Sequence, residues 1–163
     1  MDADTKEGIS ILRVRERIVE DQSLEGVTLE YVQLTKEFEE IRDYVLHKGE
    51  KITAYTEKRE AVSIRVEDIF YFEAVGGLVF AYLESEVYEI RLRLYQIEER
   101  LNMHNMVRAS KSVLMNLNYI DSVRPALNGR LYAKMQNGED ILISRNYAKL
   151  VSKRILEDDY ERI

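Results

Sequence analysis

The sequence predicts an α+β fold that is mostly β: small packed sheets with one or two helices, preceded by a short β-β-α module. Past Gly49 the chain breaks into short segments rich in Val, Ile, Tyr and Phe, separated by Gly, Asn and charged residues, the composition of pleated, half-buried strands. Asn128-Gly129 and Asn137-Gly138 fall between such segments and supply the positive φ angles of tight hairpins. Apolar residues spaced by three or four occur in few places, so helices are few.

Taken in order, residues 9–15 and 27–32 partly alternate apolar with polar, the period of half-buried strands, with a turn at EDQSLEG between them. From Thr35 the spacing changes. Leu34, Phe38, Ile41, Tyr44 and Val45 form the stripe of an amphipathic helix, with Thr35 as its cap and an end near His47-Lys48-Gly49. Strands are expected at about 51–56, 61–65, 69–74, 78–83, 87–90, 112–115, 119–125, 131–135 and 140–143. Leu94, Ile97 and Leu101 place a helix at about 93–101, and Tyr147, Leu150, Val151 and Ile155 place another from Arg145 onward. Leu114, Leu117, Ile120, Leu131, Ile141 and Ile143 have strand spacing and are expected in the core. The chain therefore divides into a β-β-α module at 1–50, a β-rich domain at 51–156 and an acidic tail at 157–163.

Composition narrows the function. One Pro and 45% hydrophobic residues describe a folded chain. The absence of Cys removes disulfides, cysteine-ligated metals and a thiol nucleophile, and two His offer little to a metal. No apolar run approaches the roughly 18 residues of a membrane span, and the N-terminus lacks a secretion signal, so a cytoplasmic location is expected. There is no GxxxxGK[ST], HExxH or GxSxG, and neither Glu67-Asp68 nor Glu98-Glu99 points two carboxylates at one substrate, so no enzyme is expected. No cofactor or small-molecule substrate is expected either.

Charge is unevenly spread. The formal net charge is −6, yet residues 101–156 hold 9 Lys+Arg against 3 Asp+Glu, while residues 1–50 hold 7 against 13 and residues 51–100 hold 7 against 10. A cationic stretch in an acidic chain suits a polyanionic partner, because affinity for nucleic acid rests largely on neutralising phosphates.

Three blocks, taken together, resemble the LytTR family of bacterial DNA-binding domains. They are Val66-Glu67-Asp68-Ile69-Phe70-Tyr71-Phe72-Glu73, the run from Val107 to Ile120 (VRASKSVLMNLNYI), and the run from Asn137 to Tyr147 (NGEDILISRNY). The resemblance extends from about Lys51 to Leu156. It implies a domain of small β-sheets with little helix, which places loop side chains in successive grooves of double-stranded DNA. Only about fifty residues precede it, too few for the phosphate-accepting receiver that many members carry, so the chain looks like the free-standing subgroup. Members of that subgroup are often encoded beside a small membrane protein, which the resemblance offers as a partner.

The same resemblance assigns DNA contacts to three loops. Gly76 and Gly77 occupy the first, Ser110 and Lys111 the second, Arg145 and Asn146 the third. Arg145 suits base reading, since a guanidinium donates two parallel hydrogen bonds to guanine, although an Arg after a helix-capping Ser144 has a structural explanation too. Lys111 between Ser110 and Ser112 makes a hydroxyl-ammonium-hydroxyl cluster fit for phosphate or a purine edge. Arg108 is either a backbone contact or an ion-pair partner. Lys149, Lys153 and Arg154 extend the positive charge. Many family members have His in place of Ser110 and a longer polar residue in place of Gly76-Gly77, which weakens the first contact; there backbone N–H groups can still approach phosphate.

The reading that results is a sequence-specific transcriptional regulator, binding repeated half-sites as a homodimer, with residues 1–50 as the dimer or partner surface. A protein-interaction or anti-regulator module that keeps the fold without reading DNA is the alternative, motivated by the acidic net charge. A third reading, single-strand binding, needs exposed aromatics among Tyr82, Tyr88, Tyr95 and Tyr132.

Overall fold

The computed structural model describes residues 26–101 and 105–160, with isolated positions before them, side chains being described up to Leu156 apart from that of Glu37. The chain divides into two compact units, residues 1–32 and 33–163. Of the first unit, the expected strand over 9–15 lies almost wholly outside the described residues. The expected strand over 27–32 does not form among them: this stretch carries no ladder, and Val27, Tyr31 and Val32 are exposed. Alternation describes a strand only where a neighbour takes up its backbone hydrogen bonds.

The second unit opens with helix α1, Lys36–His47, capped by Thr35, whose side chain accepts the Phe38 N–H. Gly49, at φ +78°, turns the chain out of the helix. Ten strands follow: β1 Lys51–Tyr55, β2 Ala61–Arg65, β3 Tyr71–Val75, β4 Leu78–Tyr82, β5 Val87–Ile90, β6 Met106–Arg108, β7 Val113–Asn116, β8 Ile120–Pro125, β9 Leu131–Met135 and β10 Asp140–Ile143. Helix α2, Leu94–Arg100, lies between β5 and β6, and helix α3, Arg145–Tyr160, follows β10.

All ladders are antiparallel, in a seven-stranded sheet of order β2-β1-β5-β4-β3-β7-β6 and a three-stranded sheet of order β10-β9-β8. Strand β6 was not expected. Its three residues are too few to show a period, and it forms because Met106 and Val107 are both buried and β7 offers a free edge. Strand β3 begins at Tyr71 instead of residue 69, because Val66–Asp68 winds into a 3-10 turn.

Two cores result, on opposite faces of the same strands. Phe72, Leu114 and Met106 point to one face and pack with Ile52, Ile90 and the α2 residues Leu94, Ile97 and Leu101. Their neighbours Tyr71, Met115 and Val107 point to the other and pack with Ala133, Met135, Ile141 and Ile143 of the small sheet and Val151 of α3. Because side chains alternate across a strand, burial on both faces is what makes Ile69-Phe70-Tyr71-Phe72 a continuous apolar run. The expected core residues Leu114, Leu117, Ile141 and Ile143 are buried, and Ile120 and Leu131 pack half-buried against the second core.

Polar groups tie the two sheets. The Tyr71 hydroxyl donates to the Glu139 carboxylate, and Tyr71 stacks on Tyr82 at 4.3 Å. Burial and that carboxylate push the Tyr71 phenol well above its ordinary range, so it remains a donor. Asn116, the one buried polar side chain among the described residues, donates to the Ile69 carbonyl at 3.1 Å and accepts the Asn118 N–H at 3.1 Å. It is an internal fastener and has no path to a ligand.

Candidate nucleic-acid interface

Three turns meet at one edge of the second unit because hydrogen bonds and ladders join them in sequence. Strands β3 and β4 are joined by Gly76-Gly77, both with positive φ (+58° and +85°), a two-residue hairpin that only glycine fits readily. At the adjacent β7, the Ala74 N–H donates to the Ser112 carbonyl at 2.8 Å, fixing the 109–112 loop beside that hairpin. The Ser144 N–H donates to the Ala109 carbonyl at 2.8 Å, fixing the start of α3 beside the same loop. The sequence-predicted positions Gly76, Gly77, Ser110, Lys111, Ser112, Arg145 and Asn146 are thus brought to neighbouring turns.

Their roles separate once the partners are known. Arg108 is held: its Nε donates to Glu98 at 2.7 Å, its Nη1 donates to the Lys111 carbonyl at 2.9 Å, and its side chain is 13% exposed. This guanidinium thus joins α2 to the loop that carries Lys111. Ser110 is also engaged, its hydroxyl accepting the Ser112 N–H at 3.2 Å and lying 3.2 Å from the Ser112 hydroxyl. The two serines build the turn that lifts Lys111 out. Lys111 itself is exposed and, among the described residues, has no carboxylate partner.

Arg145 and Asn146 occupy the exposed first turn of α3, with the Ser144 carbonyl accepting the Tyr147 and Ala148 N–H groups. A helix start presents unsatisfied N–H groups and the positive end of the dipole, both favourable to phosphate. Arg145 and Lys149 likewise have no carboxylate partner among the described residues, whereas Lys153 is engaged. The Gly76-Gly77 hairpin carries no polar side chain and opens onto free space, so it offers backbone alone.

Sequence reasoning missed two contributors. Glu98, considered only beside Glu99 as a catalytic pair and set aside, anchors Arg108. The Asn128-Gly129 turn, read only as a hairpin, lies against Arg145: a Cβ on Gly129 would stand 3.3 Å from Arg145 Cγ and 3.4 Å from its Cδ. The β9–β10 ladder pairs Leu131 with Ile143, and continuing that register by two residues sets position 129 opposite position 145. Both Asn128 and Gly129 have positive φ as expected, but in the second hairpin only Gly138 does, while the Asn137 side chain accepts the Glu139 N–H at 3.2 Å. No helix among the described residues is long and apolar enough to cross a membrane, and no group of side chains there could hold a metal.

The chain thus presents a β-rich domain whose adjoining turns carry cations without carboxylate partners among the described residues. Residues 59–156 match the LytTr DNA-binding domain model, and the chain belongs to that family. It is 29% identical over 110 residues to an uncharacterized HTH-type transcriptional regulator of Staphylococcus aureus strain NCTC 8325 / PS 47, covering 68% of this chain and 74% of the relative. It is 30% identical over 112 residues to the sensory transduction protein LytT of Bacillus anthracis, covering 65% of this chain and 46% of that protein. Among solved structures it is similar to a LytTr DNA-binding domain from Bacillus cereus, with TM-score 0.60 and 22% identity over 64% of this chain and 95% of that one. In the present chain α2 and α3 are separated by five strands, so they do not form a helix-turn-helix pair.

Proposed function

We propose that the protein is a sequence-specific, double-stranded DNA-binding transcriptional regulator that acts as a homodimer on repeated half-sites. The observation that carries this reading is the set of cations Lys111 and Arg145 on adjoining elements and Lys149 one turn further along α3, left without carboxylate partners among the described residues in a chain whose net charge is −6. An unpaired surface cation displaces a counterion when it meets phosphate; a paired one must first break its own contact. In this reading Arg145 reads a guanine edge in the major groove, Lys111 binds phosphate or a purine edge, and Gly76-Gly77 positions the backbone. Arg108, Ser110 and Ser112 shape the second loop. The dimer is assigned to the region before β1, where α1 leaves Tyr44 and Leu46 exposed, because one small module offers few phosphate contacts.

The test is fluorescence anisotropy with duplex DNA from upstream of its own gene and with scrambled duplex, at about 50 and about 200 mM salt. Specific binding that weakens with salt and is lost in Arg145→Ala and Lys111→Ala is the expected result. Specific binding indifferent to both substitutions removes the site assignment. No preference for any duplex removes the function in favour of a protein-interaction module.

A further inference from the structure

We propose that Gly129 is a specificity-determining position, the seat against which Arg145 is aimed at DNA. The inference rests on the DNA-binding reading and extends its interface to a fourth element, the β8–β9 turn. Three observations converge there. The aliphatic stem of Arg145 passes so close to Gly129 that any side chain would meet its Cγ and Cδ at 3.3–3.4 Å, tighter than ordinary van der Waals contact. The turn is held in place from both sides, by the antiparallel ladders of β8 and β10 on β9 and by the Ala126 N–H donating to the Arg130 carbonyl at 2.9 Å. Its outer surface faces away from both cores, with Leu127 86% exposed.

A long side chain free in solvent samples many rotamers, and a bidentate contact to a base edge demands one. A rigid wall along Cγ and Cδ removes part of that freedom before DNA arrives, so less order remains to be imposed on binding. Gly129 suits the wall in two ways. Its φ of +72° completes the hairpin, and its missing Cβ lets the arginine stem lie flush. Adding a methyl would tilt the stem outward, and a displacement of a few tenths of an ångström at Cγ grows toward the guanidinium.

Gly138 separates seating from backbone strain. It lies in the other hairpin of the same small sheet, has φ +88°, and a Cβ there would meet nothing within 4 Å. Ala at either position strains the left-handed backbone comparably, but only at 129 does it touch Arg145. Binding of the full chain to its upstream duplex and to scrambled duplex should therefore be compared for Gly129→Ala and Gly138→Ala, each also in an Arg145→Ala background. We expect Gly129→Ala to lower the ratio of specific to scrambled affinity at least about fivefold, with the salt slope retained, and Gly138→Ala to leave the ratio unchanged. With Arg145→Ala present, Gly129→Ala should lower it no further.

Should the alanine variants fail to fold by thermal melting, Gly129→Asn and Gly138→Asn keep the added Cβ on a residue that tolerates positive φ. Equal loss at the two glycines, or an undiminished effect of Gly129→Ala without Arg145, overturns the proposal while leaving the DNA-binding reading intact. A wild-type protein with no preference for its duplex overturns both.

Discussion

Two regions of this molecule set their cations in different surroundings. Over residues 33–100, Arg42, Arg65, Arg91 and Arg100 each lie within 3.7 Å of a carboxylate, and Arg91 also lies over the Tyr55 ring at 3.6 Å from its centroid. Around the start of α3, Lys111, Arg130, Arg145 and Lys149 have no such partner among the described residues. The first region also holds cations without a carboxylate partner among the described residues, Arg59 and Arg93 among them, but they stand in a local excess of acid, 10 Asp+Glu against 7 Lys+Arg over residues 51–100, whereas around α3 the free cations gather on joined turns in a stretch with 9 Lys+Arg against 3 Asp+Glu. Net charge is thus a poor guide to a polyanion surface. What a phosphate meets is the local, unneutralised cation, and at about 0.15 M salt the acidic parts of the chain are screened beyond roughly 8 Å.

The sharpest break of that comparison removes two cations from each region. Lys111→Ala with Arg145→Ala should weaken binding to the specific duplex at least about thirtyfold, combining a lost base contact with a lost phosphate contact. Arg65→Ala with Arg91→Ala removes the same formal charge and should change affinity less than about twofold, since both guanidiniums already face carboxylates. Equal losses would mean that bulk charge, and not the turn geometry, drives binding.

Next in size comes the paired cation that serves the unpaired region. Arg108→Ala should lower stability by about 1 kcal/mol, measured by urea unfolding, because it loses two hydrogen bonds of which the Glu98 half is partly solvated. It should also weaken DNA binding by releasing the Lys111 loop. Glu98→Ala is the sharper version, because it removes no cation and should still weaken binding; unchanged affinity in that variant would sink the positioning role of Arg108.

Arg130 is exposed, unpaired and one residue beyond Gly129, so Arg130→Ala should weaken specific and scrambled duplexes alike and lower the salt slope by about one unit. An unchanged slope would place that guanidinium outside the interface. The smallest effect on DNA is expected from Tyr71→Phe, which breaks the fastening to Glu139 between the two sheets. It should cost about 1 kcal/mol of stability and leave the salt slope as it was, separating integrity of the frame from charge at its edge.

Much of the fold was legible because its signals are local. The Thr35 cap, the period of α2, the alternation of β1, β9 and β10 and the Asn128-Gly129 pair each need only a few consecutive residues to declare themselves. The failures have the opposite character. Val27–Val32 alternates like a strand without becoming one, and β6 becomes one without a pattern, since pairing depends on a neighbour distant in the chain. Among the tyrosines offered for base stacking, Tyr82, Tyr88 and Tyr132 sit half-buried in strands, and Tyr95, on the expected helix α2, is exposed.

By itself, then, the sequence determined the β-rich architecture, the family, the cationic stretch and the three turns at which contact with DNA is expected. Only tertiary structure decided which of those side chains are free. Arg108 and Arg145 are indistinguishable as residues, yet one is committed to Glu98 and the other lies along Gly129 with its guanidinium free. Glu98 is ten residues from Arg108 and Gly129 sixteen from Arg145; the first approach is set by the packing of α2 against the face that holds Phe72, Met106 and Leu114, the second by the register of β9 on β10. A side chain's identity is written in one position, but its availability is set by every neighbour that the fold brings to it.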